Sequence, residues 1–510
     1  MVLLHLPPEI LDEIISLTLP SGIEAFALCC KAVNARAASQ IQRHNTLKRQ
    51  WKYTAHNSAR RGDTLRMLYE ISRDSLVALY IESLNLWDRR QLGNVSRDPR
   101  RLVTGDFVNF RADEEAMERI RAMVMGSEYL ENAGVDAEEW WGKMMKEDEA
   151  GDEDYDDAPY TVVSLLGLLP NLKTLQLPHR WYDVRPFENA KDDVKRLVSV
   201  LDAIVESSNG GNDSEKPLEK LETMLPFMPA GYEERAGLQC VQPFMPLKSM
   251  RELYAVSCLA VDDQYTGIPF QWRFPELNSP LRRVELAYCC MDADGISLLL
   301  SHTPSLAVFR YSHQTKWHGC QHDWNPGTFS EAIARHCGKT ITELAITVDE
   351  LYGDICNGAS SFLSFPNLQT LEVDVCIFCG PPVESGQERG MYGRVPEGEI
   401  PWTEEDIPCL GSMLPESVIE VQINTDFPKP DVVVLKLLLK NLREQREIRL
   451  KKLGKVIVWQ DKEDSARTLV ESAGAAVCVF SPEGTQTRSR SMMPAWKREF
   501  EERVGGLEFT

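Results

Sequence analysis

The chain has no uninterrupted apolar run of about 18 residues, the length a helix needs to cross a bilayer, so no membrane association is expected. It is also poor in basic charge for its size. Its 56 Lys and Arg stand against 77 Asp and Glu, a formal net charge of -21. An acidic excess of this size argues against nucleic-acid binding, which needs a basic footprint. No basic cluster precedes the first apolar stretch, and Glu9, Asp12 and Glu13 interrupt it, so no secretory signal is expected. Cysteine is sparse and odd in number, 13 in 510 residues, which suits free thiols better than a disulfide framework. Together these absences predict a protein of the cytoplasm or nucleus.

Signatures of catalysis are missing as well. No GxGxxG, GxSxG or HExxH occurs. Gly338-Lys339-Thr340 has the ending of a phosphate loop, but Ile333 stands where its first Gly is required, and the segment follows a helical stretch instead of preceding one. Two groups have metal-ligand residue types. Cys376-Ile-Phe-Cys379 is a lone CxxC, and zinc needs about four ligands. His313, His318, Cys320 and His322 crowd one segment with Trp317 and Trp324. Aromatic filling of an enlarged loop is the simpler reading of that segment, so no metal and no cofactor are assigned.

What is present begins at Leu6. Pro7-Pro8 suits a helix start, where the first N–H has no partner. Ile10, Leu11, Ile14 and Ile15 then recur at helical spacing. Pro20-Ser21-Gly22 breaks this helix, a second carries Ile23, Phe26, Ala27 and Leu28, and Cys29-Cys30-Lys31 leads into a third with Val33, Ala37 and Ile41. Three short helices make a very small core, so apolar surface remains for a partner. From Ala25 to Arg66 nine Lys or Arg accompany a single acid, Asp63; a solvated helical face explains this run more simply than a binding patch.

Leu-Pro-x-Glu-Ile-Leu, an apolar second helix, then Cys-Lys and a third helix, in that order, resemble an F-box. The resemblance implies docking on a Skp-type adaptor through Leu6, Pro7, Ile10, Leu11, Ile14, Leu28, Cys30 and Lys31, and Val33 stands where many F-boxes carry Trp or Phe.

Past residue 160 a second pattern recurs, apolar-x-x-apolar-x-apolar. It begins at Leu172, Leu281, Leu306, Ile341, Leu368 and Val418, with weaker copies at Ile81, Leu218 and Met250. Helical stretches are expected between the copies, over 194–205, 293–301, 329–336 and 432–442, the third opened by a Thr328-Phe-Ser-Glu331 capping box. A further strand at 455–459, a helix at 465–472 and a strand at 475–480 close the pattern. Strand, turn and helix at intervals of about 25 to 50 residues is a leucine-rich-repeat signature, here irregular in spacing, with a compact mixed α/β domain as the competing reading. An acidic stretch from Lys146 to Asp157, the stretch 205–217 and the Gly- and Pro-rich stretch 380–402 are expected as loops.

The expected architecture is therefore α/β: a three-helix F-box over 1–45, a helical linker with an acidic loop over 46–160, an irregular leucine-rich-repeat-like solenoid of parallel strands with helices behind over 161–480, and a C-terminal tail over 481–510. The whole resembles a fungal F-box protein with leucine-rich-like repeats. The resemblance implies a non-enzymatic substrate receptor of a cullin ubiquitin ligase of the SCF type, with the adaptor, through it a cullin, and an unknown protein substrate as partners. The alternatives are an adaptor-bound scaffold without ligase role and a metal-binding enzyme built on the His313 to His322 segment.

Overall fold

Pro8 stands in the first turn of the first helix, and the residues behind it form a bundle of four helices: α1 (Pro8–Leu17), α2 (Ile23–Ala27), α3 (Lys31–Arg36) and α4 (Ala38–Trp51). The stretch expected as a single third helix is two, meeting at Ala37. The computed structural model describes residues 6–55, 63–87, 110–149, 159–185, 190–211, 216–425, 432–460, 467–479 and 493–506. Two units can be separated, Met1–Phe227 with Leu247–Ser249, and Met228–Pro246 with Met250–Thr510.

In the first unit, Leu11, Ile15, Leu19, Ile23, Ala27 and Ala37 form the bundle's core, with Phe26, Ile41 and Leu76 against it. Ion pairs join its helices, Arg36 to Asp12 at 2.7 Å and Lys48 to Glu24 at 2.6 Å. These pairs are solvent-exposed and contribute little, so the apolar core carries the stability. The chain then runs through β1 (Tyr53–Ala55), α5 (Asp63–Arg73), α6 (Leu76–Tyr80) and β2 (Ser83–Asn85). It continues through α7 (Glu114–Met125), α8 (Glu128–Asn132), α9 (Ala137–Glu149), α10 (Pro159–Leu166), β3 (Thr174–Gln176), α11 (Asp192–Asn209) and β4 (Thr223–Leu225). The strands pair in chain order, all parallel, in a register that aligns the buried residues Thr54, Leu84, Leu175 and Met224. Strands β1 and β2 lie within the stretch expected to be a helical linker, so pairing starts well before residue 161. Helix α9 runs through Lys146 to Glu149, where a loop is expected, and residues 150–158 of the acidic stretch lie outside the described residues.

The second unit holds β5 (Ala236–Gly237), β6 (Glu252–Val256), β7 (Cys258–Ala260), β8 (Arg283–Met291), α12 (Ala293–Leu300), β9 (Val308–Gln314), α13 (Pro326–Cys337), β10 (Glu343–Glu350) and β11 (Thr370–Asp374). It ends with α14 (Leu410–Met413), β12 (Glu420–Asn424), α15 (Val432–Leu438), α16 (Leu442–Ile448), β13 (Lys455–Gln460), α17 (Arg467–Ser472), β14 (Ala476–Val479) and α18 (Ala495–Val504). The order across the sheet is β6-β8-β9-β10-β11-β12-β13-β14, with β7 and β5 attached beside β8, and every ladder is parallel. Register places Leu253, Val284, Phe309, Leu344, Leu371, Val421 and Val456 in one buried row across seven strands. The chain is an α/β protein of parallel strands joined through helices.

The strand pattern maps onto the structure with a constant offset. Each strand begins two residues after the first apolar residue of its copy, as Leu281 precedes Arg283 and Leu368 precedes Thr370. One copy is displaced. The strand expected from Leu218 starts at Thr223, so Leu221 holds the register position, while Leu218 sits buried in the preceding turn with φ 58°. The Leu-Pro-Asn and Phe-Pro-Asn turns share a task. Asn171 Nδ2 donates to the Leu79 carbonyl and Asn367 Nδ2 to the Lys339 carbonyl, each at 2.7 Å, two residues before the first apolar residue of the preceding copy. The turn of one copy is thereby tied to a main-chain carbonyl of the copy before it. The expected capping box at Thr328 is not used. Helix α13 opens at Pro326, and the Asn325 side chain accepts from Thr328 N–H at 3.0 Å, because proline fits the first turn and fixes the start earlier. The helix expected over 432–442 breaks at Asn441, with φ 56°, into α15 and α16.

Gly295 is where close approach decides the residue. Asp292 caps α12 by accepting from Gly295 N–H at 2.6 Å, and a Cβ on Gly295 would lie 2.1 Å from the Ala260 carbonyl oxygen. Alanine is the better helix former by about 1 kcal/mol, yet the clash is with backbone that cannot rotate away. Gly295→Ala is expected to destabilise the unit by about 1–3 kcal/mol. The denaturant midpoint should fall, and a rise would show that the β7–α12 approach is looser than this.

Candidate partner-binding surfaces

Helix α1 carries two apolar stripes. Leu11 and Ile15 point into the bundle core. Ile10, Ile14 and Leu17, at i, i+4 and i+7, share a second side turned about 100° from the first. Ile10 is 49% exposed, Leu17 is 74% exposed and Ile14 is half-buried. Leu28, in the turn from α2 to α3, is 81% exposed. A small bundle that shows this much aliphatic surface has more than its own core to cover.

The nine residues expected on the adaptor face separate by burial. Pro7, Ile10, Leu28 and Lys31 are exposed, and Leu6, Ile14 and Cys30 are half-buried. Leu11 and Val33 are buried, at 7% and 0%, so in this chain they build the bundle and do not present surface. Leu17 is the exposed residue that sequence reading left out. Its i+7 relation to Ile10 could have found it. Two contacts tie α4 of the bundle to the α5–α6 region. Arg43 pairs with Asp74 at 2.6 Å, and buried His44 places its Nδ1 2.8 Å from the Tyr80 hydroxyl.

In the second unit, the side chains that alternate with the buried row point to the other face of the sheet, and α18 lies there. This helix falls in the stretch expected as a tail; residues 481–492 lie outside the described residues. Glu372 on β11 accepts from the main-chain N–H groups of Ala495 at 2.7 Å and Trp496 at 3.0 Å, capping the helix where its dipole is positive. Burial raises the Glu372 carboxyl above the usual carboxylate range, against the hydrogen bonds from Asn424 and the helix start. Trp496 is buried and its indole N–H donates to the Thr347 hydroxyl at 3.2 Å. Lys497, fully buried, pairs with Asp349 and sits 3.1 Å from the Tyr288 ring centroid. Glu285 accepts from Arg283 and Arg503, both at 2.6 Å, with Arg310 3.6 Å away. Arg310 also holds Glu343 at 2.9 Å and Glu499 at 2.7 Å. Burial works against the charge of Arg310, but these three carboxylates outweigh it and keep its pKa above the ordinary value. The chain thus covers the middle of its own sheet face with a helix held by buried Trp496 and Phe500 together with these ion pairs.

The histidine-rich segment does not gather. His313 is buried on β9, its ring stacked on Trp324 at 4.4 Å with Nδ1 2.9 Å from the Tyr311 hydroxyl. Cys320 is buried with its sulfur 3.8 Å from that of Cys290, while His322 is partly exposed beside Asp323. Among the described residues no three His, Cys, Asp or Glu side chains form a group that could hold a metal ion. None of the 13 cysteines is in a disulfide. Burial and neighbouring thiols push Cys290 well above the ordinary thiol value, with Cys320 the main partner. Nearby Lys316 is buried, and burial lowers its pKa to about 8. It donates to the Gly231 carbonyl, Ser257 Oγ and Gln314 Oε1, so its charge is satisfied in place. In the first unit an apolar cavity of about 190 Å³ lies among α5, α7, α8, α9, α10 and α11, and Glu128 and Tyr129 are the titratable residues of its lining. Among the described residues no helix is long and apolar enough to cross a membrane.

No protein-family model matches the chain, and no curated protein is significantly similar to it.

Proposed function

We propose that this chain is the substrate-recognition subunit of an SCF-type cullin ubiquitin ligase. Its N-terminal helices are an F-box that docks on a Skp-type adaptor. The parallel strands and their helices are an irregular leucine-rich-repeat-like solenoid that holds a protein substrate. The observation that carries this reading is the second apolar stripe of α1, Ile10, Ile14 and Leu17, with Leu28 beside the Cys-Lys turn, left uncovered on a bundle whose other stripe already makes its core. It coincides with the motif order that resembles an F-box. No chemistry is assigned to this chain. Its contribution is proximity, since tethering substrate and transferring enzyme on one assembly raises their effective concentration. The reading places the protein in the cytoplasm or nucleus, with a cullin reached through the adaptor.

The test is binding of the full chain to a purified Skp-type adaptor. Wild type is expected to bind, and Ile10→Asp/Leu28→Asp to lose at least about 100-fold in affinity, since two desolvated anchors are replaced by charges. Both positions are exposed, so the variant should keep its thermal midpoint. A folded wild type that binds no adaptor, or a variant that binds as well as wild type, overturns the reading.

A further inference from the structure

The stretch between β11 and α14 is long, ordered by specific bonds, and apolar where it should be polar. Gln387 is its buried pin. The Gln387 side chain donates to the Ile400 carbonyl at 3.0 Å and accepts from Trp402 N–H at 2.8 Å. Its own carbonyl accepts from Asn357 Nδ2 at 2.7 Å. A second pin is Asp323, which accepts from Met391 N–H at 2.7 Å and Asp354 N–H at 2.8 Å. Glu388 and Arg394 exchange both main-chain bonds at 2.9 Å.

Between these pins every residue from 391 to 400 is exposed. Tyr392 and Ile400 are each 85% exposed and Met391 70%. A loop tip that only needs hydration does not call for Met, Tyr and Ile. Held at the end of a pinned loop, such side chains are anchors that lose little freedom on binding, which is how preorganised surfaces gain affinity. The surrounding charge is one-sided. From Glu384 to Asp406 there are seven carboxylates and two guanidiniums, a net charge of -5. Both guanidiniums are engaged, Arg394 with Glu388 at 3.4 Å, and Arg389 with Asp354 at 3.8 Å and over the Trp402 ring.

We infer that the loop from Glu384 to Asp406 is a docking platform for a basic peptide segment that carries a bulky apolar anchor. The anchor packs on Met391, Tyr392 and Ile400, and the lysines or arginines around it meet the acidic rim. The sheet face does not serve this purpose in its middle, because α18 covers it. The inference rests on the receptor reading in one respect, that the bound segment belongs to the substrate.

The test uses the full chain as bait for a phage-displayed library of random short peptides at about physiological ionic strength. Enriched peptides are expected to be net positive with at least one aromatic or large aliphatic residue. A synthetic copy should lose about tenfold or more in affinity on Met391→Ser/Tyr392→Ser/Ile400→Ser, and about tenfold on Glu397→Gln/Glu399→Gln. The second variant removes charge without touching the anchors, so it answers even if the first fails to fold. Enrichment of acidic or neutral peptides, no enrichment at all, or equal binding to the charge variant overturns the inference. Adaptor binding is measured on the same variants and should be unchanged. Loss of the platform with adaptor binding intact leaves the receptor reading standing; absence of adaptor binding in wild type removes that reading and leaves the platform to be judged on its peptides.

Discussion

Glu285→Ala is expected to cost about 3–5 kcal/mol of unfolding free energy, the scale of breaking a buried ionic cluster by removing one partner. Glu285 is fully buried, and three guanidiniums converge on it from β8, β9 and α18. Its second oxygen, Oε2, has no hydrogen bond among the described residues, so one oxygen carries the whole cluster. Without it, Arg283, whose side chain is 18% exposed, loses its near carboxylate while most of its surface stays withdrawn from water, and Arg310, 10% exposed, keeps only Glu343 and Glu499. Arg503 is 35% exposed and can turn to solvent, so Arg503→Ala should cost only about 1 kcal/mol or less. Equilibrium denaturation of both variants checks the contrast. Equal costs would show that Glu285 matters only as an anchor for α18.

The second large effect is in acid. Burial drives the pKa of His313 down to about 3, against a contact with the Gln321 main chain that favours the charged ring, with Lys316 adding to the lowering. The unfolded chain titrates near the ordinary value of about 6.5. Between these values the unfolded state takes up a proton that the folded state refuses. Stability from this group is therefore complete above about pH 6.5 and falls as pH drops toward 3, by about 1.4 kcal/mol per pH unit. The loss reaches about 2 kcal/mol at pH 5. Asp374 and Glu372, whose carboxyls burial raises, act in the opposite direction. They are common to wild type and variant, so the comparison cancels them. His313→Phe keeps the stacking on Trp324, and the Tyr311 hydroxyl still bonds Met291 N–H and the Cys289 carbonyl. Wild type should lose stability relative to His313→Phe at the stated slope below pH 6.5. Parallel stability profiles would show that His313 gains a proton in the folded state.

The exposed platform and the α1 stripe differ in how far the sequence shows them. Ile10, Leu11, Ile14 and Ile15 announce an apolar helix, but spacing alone does not say which pair faces inward. Only packing against Ile23, Ala27 and Ala37 makes Leu11 and Ile15 core and leaves Ile10 and Leu17 outside. Val33 reads as a surface anchor by position in the motif and is buried, because a short helix in a bundle this small has few sides that escape the core. Likewise the Gly- and Pro-rich stretch after β11 reads as a loop. That it is pinned, with Tyr392 and Ile400 outward, depends on Asn357 bonding the Gln387 carbonyl and on Asp323 holding Met391 N–H, from separate coils.

What the amino-acid order determined alone is the repeating strand. Apolar residues at the first, fourth and sixth positions place two side chains on one face of a strand, and parallel stacking aligns them into a continuous row, so local period and global core agree. What only the tertiary structure decided is the pairing of charge across distance. Arg310 meets Glu499, and Arg503 meets Glu285, across 189 and 218 residues. A lysine such as Lys497 reads in sequence as a solvated side chain and is fully buried on the sheet. Periodicity reports which residues leave water together along one element. It carries no information on which distant charge will replace that water.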